Sequence, residues 1–168
     1  MIEIHGTRAI LRSTTPADLP DLLRLWNDGR VMRWVGFPEG LGYDHTRMES
    51  WFKRVQSDPC RHHFVVHSPE IGFCGEAYYA ADPYQRRAGL DIKLLPEAQG
   101  QGIAVDALTT LINYIFETEP GIQAVWTEPS ELNLAARKLY TRCGLKLCPR
   151  PAGLEPGESY WEFSRDGL

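Results

Sequence analysis

Residues 96–108 read PEAQGQGIAVDAL. An apolar strand pattern, Leu90 to Leu95, runs into this stretch, and a helical pattern, from about Ile103 to Glu119, leaves it. Between them lie Gln99, Gly100, Gln101 and Gly102. A strand that passes through glycines into a helix offers an anion site. The first helical N–H groups lack internal partners, the helix dipole places positive charge there, and glycine lets a ligand approach the backbone. Three readings compete. A P-loop needs Lys followed by Ser or Thr, and none follows. A dinucleotide fingerprint, G-x-G-x-x-G/A, finds Gly100 and Gly102 but Val105 in third place, and the strand falls mid-chain. A plain chain-reversing turn is the third.

The flanking elements place this turn inside an α/β domain. "RAILR" (8–12) reads as a strand. Thr15, Pro16 and Asp18 start a helix whose buried face is Leu19, Leu22, Leu23 and Trp26, stopped by "NDGR". Met48, Trp51, Phe52 and Val55 mark a second helix. Strands follow at 62–67, 72–80 and 88–95, then the helix after the turn, a strand at 122–127, and a helix, "LNLAARKLYTRCG", ended by Gly144. "LKLCP" and "SYWEFSR" are the last two strands. About seven strands and four helices make a mixed sheet, antiparallel where hairpins connect it and parallel where a helix intervenes.

The chain of 168 residues is expected to form a single domain, 1–168, large enough to fold without staples. A net charge of -4 argues against a nucleic-acid partner. No apolar run reaches the ~18 residues of a membrane span, and the N-terminus lacks a signal-peptide pattern, so a cytoplasmic location is expected. Cys60, Cys74, Cys143 and Cys148 form no CxxC pair, the histidines have no HExxH-like spacing, and no metal is expected.

Two motifs in order carry a resemblance. "QGQGIA" resembles the acetyl-CoA pyrophosphate loop of the GNAT N-acetyltransferase superfamily, Q/R-x-x-G-x-G/A, with Gln99, Gly102 and Ala104 in its defining positions. "NLAARKLYTRCGL" looks like the superfamily's N-x-x-A-x-x-x-Y-x-x-x-G-F, with Asn133, Ala136, Tyr140 and Gly144 matched and Leu145 in place of Phe. The opening "LRSTTPADLPDLLRLWND" resembles the RimJ/RimL-type branch, which acetylates protein N-termini and includes aminoglycoside- and polyamine-acetylating relatives.

The resemblance implies a GNAT-like sheet splayed around the acetyl-CoA arm between strands 88–95 and 122–127. It implies cofactor contacts from Leu94, Leu95, Gln99, Gly100, Gln101, Gly102, Ile103, Ala104 and Asn133, with the Leu94 N–H donating to the thioester oxygen. Relatives often carry basic residues in the loop where Gln99 and Gln101 stand here. Arg137, Lys138 and Arg142 could supply charge to the 3′-phosphate, or form a solvated helix face. Asn133 reads equally as a helix cap.

Acetyl transfer to an amine requires deprotonating the amine, stabilising the carbonyl oxygen and accommodating the leaving thiolate. The resemblance makes Tyr140 the acid, against a packing role. Glu76, alone in an apolar strand, is the first candidate base, because burial beside a pocket would raise its pKa. Asp91, on a face with Lys93, is the second, and Glu128 the third. Trp34, Phe37 and Trp161 could line an acceptor pocket or a homodimer face, or lie in the core. The expected partners are acetyl-CoA and an amine acceptor, best an N-terminal α-amine, with aminoglycosides or polyamines as alternatives. A non-catalytic acyl-CoA sensor is the reading from another class.

Overall fold

The computed structural model describes residues 1–167. Eight strands form one sheet in the order β1-β2-β3-β4-β5-β6-β8-β7. They are β1 (Glu3–His5), β2 (Ile10–Ser13), β3 (Arg61–Ser68), β4 (Gly72–Asp82), β5 (Arg87–Leu94), β6 (Ala124–Thr127), β7 (Lys146–Leu147) and β8 (Trp161–Ser164). The helices are α1 (Leu19–Trp26), α2 (Gly29–Met32), α3 (His45–Ser57), α4 (Ile103–Thr118) and α5 (Leu134–Arg142). The mixed α/β expectation holds, with one more strand and one more helix. β1 has only three residues, too few to show a period-two pattern, and is made by pairing with β2. At "NDGR" α1 does stop, but Asp28 accepts from the Arg30 N–H and caps a new single-turn helix.

β1 through β5 pair antiparallel, by hairpins except between β2 and β3. There α1, α2 and α3 intervene, and the pairing is still antiparallel rather than the parallel one expected across a helix. β6, reached through α4, pairs with β5 in parallel at only three positions, Arg87 with Ala124, Ala88 with Val125 and Gly89 with Trp126. Beyond Gly89 the two strands part, and residues 90–94 of β5 have no β6 partner. This opening positions the site.

Alternation along the strands gives the sheet two cores. Phe64, Val66, Ala77, Tyr79, Leu90 and Leu94 face α4, whose Leu108, Leu111, Ile112 and Ile115 are buried against them, with Tyr140 and Leu145 in the same cluster. Val65 faces the other way, into Leu22, Leu25, Trp26, Val31, Met32 and Met48 of α1–α3. Asp106, in the first turn of α4, accepts from the N–H groups of Thr7, Arg8 and Ala9. That carboxylate ties the β1–β2 turn to the helix start and leaves Arg8 beside it. Burial opposes the Asp106 charge, but these hydrogen bonds prevail and lower its pKa.

Candidate active site

The gap between β5 and β6 is a cleft of about 680 Å³. Its wall divides into two halves. One is made by Leu94, Gln99, Gly100, Gly102, Ala104, Asn133, Ala136, Lys138, Tyr140 and Arg142; the other includes Arg30, Trp34, Arg61, Tyr78, Asp91, Lys93 and Glu128.

In the first half the turn is bare because its backbone is left-handed. Gly100 and Gly102 have φ of +75° and +79°, where an L side chain is strained. A Cβ on Gly100 would meet nothing within 4 Å. Gly102 is the N-cap of α4 and supplies no side-chain cap, so the N–H groups of that first turn have no side-chain cap and remain open to an anion. The glutamines fasten the turn: Gln99 Nε2 donates to the Leu94 carbonyl (3.0 Å) and Gln101 Nε2 to that of Glu97 (2.7 Å). Positive charge comes from Lys138 and Arg142 on the wall. Arg8 adds a third cation, its Cδ 3.5 Å from where a Gly102 Cβ would stand. No local sequence signal links Arg8 to a turn more than ninety residues away.

Four expected cofactor residues have side chains off the cleft wall, although the backbone N–H of one of them, Ile103, is among those that open α4. Leu95 is buried and its N–H donates to the Cys74 carbonyl, so it turns toward β4. By alternation the Leu94 N–H points the opposite way, to the open edge. Ile103 packs its side chain into the core, Gln101 is off the wall, and Arg137 bonds the Glu131 carbonyl and lies over the Trp161 ring. Asn133 lines the cleft and also caps α5, accepting from Ala136 N–H through its oxygen. Of the aromatics, Trp34 lines the cleft, Phe37 is exposed outside it and Trp161 is buried.

The main correction concerns Glu76. It is 2% exposed and does not reach the cleft. Trp26 Nε1 donates to its Oε2 (2.8 Å), His63 Nε2 lies 2.9 Å from the same oxygen, and Lys93 Nζ is 3.4 Å from the other. Burial alone would raise the carboxyl, but Lys93, His63 and Trp26 outweigh it and hold it at about 2. Glu76 is therefore a buried anchor between α1, β3, β4 and β5. Because its pKa is lowered, its stabilising contribution is complete above the ordinary carboxylate range and fades only as pH falls toward 2. Glu76→Gln keeps the shape and removes the charge. Breaking a buried ion network costs roughly 3–5 kcal/mol, so thermal melting should drop by about 6–20 °C for a chain of this size. An unchanged melting temperature, with loss of the acidic limb of activity, would make Glu76 the base after all.

Asp91 is on the cleft wall. Lys93 Nζ bonds its Oδ2, and the Ile92 N–H donates to Oδ1 (2.8 Å). Burial would lower the Lys93 ammonium, yet Asp91 and Glu76 raise it, so it stays charged. Tyr140, 3% exposed, is carried by α5 on the α4 side of the sheet, and its hydroxyl reaches through the gap to 3.5 Å from Asp91 Oδ1. Burial, then the Asp91 charge, push the phenol above its ordinary pKa, so it keeps its proton. Glu128 is on the wall but paired with Arg150 at 2.5 Å. Among the described residues no group of three or more His, Cys, Asp or Glu side chains is placed to hold a metal, and no helix is long and apolar enough to cross a membrane.

A profile for an acetyltransferase (GNAT) domain matches residues 8–146. The chain belongs to the GNAT acetyltransferase family. Members are acetyl-CoA-dependent N-acetyltransferases, and the chain is an enzyme of that kind. No curated protein matches it by sequence. Among solved structures it is similar to a spermidine N-acetyltransferase from Vibrio cholerae in complex with CoA and spermine (TM-score 0.81, 20% identity, 96% of this chain and 98% of that one). It is also similar to RimL, a ribosomal L7/L12 α-N-protein acetyltransferase, in complex with coenzyme A (0.82, 15%, 99% and 100%). A third is the aminoglycoside acetyltransferase AAC(6')-Ib in complex with coenzyme A (0.77, 18%, 94% and 95%). These likenesses concern the fold. The residues of the first half fit acetyl-CoA: an open backbone cradle at Gly100 and Gly102, an uncapped helix start, and flanking cations.

Proposed function

We propose that this GNAT enzyme acetylates an α-amine, the N-terminus of a peptide or protein. The observation that carries the reading is the state of the carboxylates. Asp91 is engaged by Lys93 and Ile92, Glu128 by Arg150, and Glu76 is buried and held at about 2. None is arranged to strip a proton from a lysine-like amine. Such an amine, with pKa near 10.4, costs about 4 kcal/mol to deprotonate at pH 7.4, whereas an α-amine near 7.8 costs less than about 1 kcal/mol. The site suits the amine that brings its own free base.

The roles follow from position. Acetyl-CoA supplies the activated acyl group as a thioester. The N–H groups opening α4, with Arg8, Lys138 and Arg142, hold its phosphates. The Leu94 N–H donates to the carbonyl oxygen as that oxygen gains charge. Asp91 orients the amine and accepts its departing proton through water. Tyr140 donates a hydrogen bond to the leaving sulfur.

The test is release of free thiol from acetyl-CoA with peptides bearing free or blocked N-termini, spermidine, an aminoglycoside and free amino acids. Unblocked peptides should be turned over. The acidic limb of kcat/KM should follow the pKa of the peptide's own amine when that is varied. A higher kcat/KM for spermidine or the aminoglycoside would reject the reading.

A further inference from the structure

The acceptor half of the cleft is bipolar. Register puts Arg61 opposite Ala80, Ala80 opposite Gly89, and Tyr78 opposite Asp91. Alternation therefore places Arg61, Tyr78, Ala80, Gly89 and Asp91 on one sheet face, and all five line the cleft. Asp91 marks the end where the amine reacts, below Tyr140. Arg61 stands two strands away.

The other charges of this half have close partners. Arg30 is fixed on Asp28 (2.6 Å), Lys93 lies between Asp91 and Glu76, and Glu128 is bound to Arg150 (2.5 Å). Arg61 reaches only Asp58, at 3.9 Å, with both side chains about half exposed (48% and 46%). A pair so open contributes little. Arg61 is thus a cation on the acceptor wall with its guanidinium fork largely unspent, and a guanidinium recognises a carboxylate.

Spacing decides which carboxylate. Two strand spacings of about 4.8 Å and a two-residue offset of about 3.4 Å per residue separate Arg61 from Asp91 by roughly 12 Å along the backbone. The α-carboxylate of a free amino acid, two bonds from its amine, is too close to bridge that gap. In an extended peptide each further residue adds about 3.3 Å, which carries the side chain of the second or third residue toward Arg61. Resting on the α-amine reading above, we infer that the acceptor is a peptide N-terminus with an acidic side chain at its second or third position, and that Arg61 reads it. Arg61 is a specificity residue: it touches the acceptor and takes no part in the bond-making step.

The experiment compares peptides that differ only there, beginning Ser-Ala-Ala, Ser-Glu-Ala, Ser-Ala-Glu and Ser-Lys-Ala, with free glutamate as a further acceptor, for wild type and Arg61→Glu. Wild type should show a KM about fivefold lower for a glutamate peptide than for the neutral one, with kcat nearly equal, and the gap should shrink as salt is raised. Arg61→Glu should reverse the order, favouring Ser-Lys-Ala, with acetyl-CoA affinity unchanged as proof of an intact cleft. Equal KM values for neutral and acidic peptides in the wild type would overturn the inference while leaving the α-amine reading standing, and that comparison decides even if the variant does not fold. A uniform fall in kcat for all peptides in Arg61→Glu would also overturn it, because a structural role makes no distinction by charge. Free glutamate acetylated as well as the peptides would overturn the spacing argument. Turnover of spermidine but of no peptide would remove the α-amine reading and this inference together.

Discussion

Tyr140→Phe is expected to lower kcat about 10²-fold and to leave acetyl-CoA affinity nearly unchanged. The ring is part of the α4-side core, and phenylalanine preserves that packing. What is lost is one hydroxyl, 3.5 Å from Asp91. Asp91 keeps Lys93 and the Ile92 N–H, so no buried charge is orphaned and the fold survives. The size of the effect follows from the phenol's environment. Burial and Asp91 raise its pKa above that of an ordinary phenol, and thus above the roughly 8.5 of a thiol. Complete proton transfer to the sulfur is then uphill. A hydrogen bond to a developing thiolate remains, worth about 1.5–3 kcal/mol. Because the phenol does not titrate in the working range, the ratio of wild-type to variant kcat should be flat from about pH 6 to 9. Stopped-flow and steady-state kinetics across that range, with calorimetry for acetyl-CoA, check both statements. Wild-type turnover in the variant would remove Tyr140 from the reaction.

Different parts of this site were legible to different degrees, for reasons of chain distance. Gly100 and Gly102 announce themselves because a left-handed turn between strand and helix selects glycine, a local constraint. Tyr140 sits on a helix whose spacing from Asn133 to Gly144 is also local, and Gly144, at φ +89°, does end that helix. Glu76 differs from its expected role because a lone carboxylate in an apolar strand reports burial but not the sign of its consequence. That sign is set by partners from three other elements, Trp26, His63 and Lys93. One of them was within reach. Asp82 pairs with Arg87 across the β4–β5 turn, and six residues back on each strand put Glu76 opposite Lys93. Arg8 was out of reach, since only the Asp106 anchor on the β1–β2 turn brings it to Gly102. Arg137 and Lys138 are neighbours on one helix, and without the helix's rotation about its axis nothing tells which of them meets the cleft.

Gly102→Val should weaken acetyl-CoA binding tenfold or more, about 1.4 kcal/mol. Two effects act at this position and must be separated. At φ +79° any L side chain is strained, at about 1–2 kcal/mol, and that strain falls on the fold whether or not a ligand binds. The second effect is occlusion. A Cβ at Gly102 meets the protein only at Arg8 Cδ, 3.5 Å away, an ordinary contact. The remaining bulk of valine stands by the open N–H groups of α4 and the Arg8 cation, the proposed place of the pyrophosphate. Gly72 isolates the first effect. It has φ +83°, a Cβ there meets nothing within 4 Å, and it lies outside the cleft, at the start of β4. Gly72→Val should therefore lose a similar amount of stability, roughly 2–8 °C in melting temperature, with acetyl-CoA affinity intact. Gly102→Val should lose both. Calorimetric titration with acetyl-CoA, run beside thermal melts of the two variants, reads the difference directly. If Gly102→Val melts lower but binds acetyl-CoA as the wild type does, the glycines serve only to turn the chain, and the phosphate site must be sought elsewhere along the cleft.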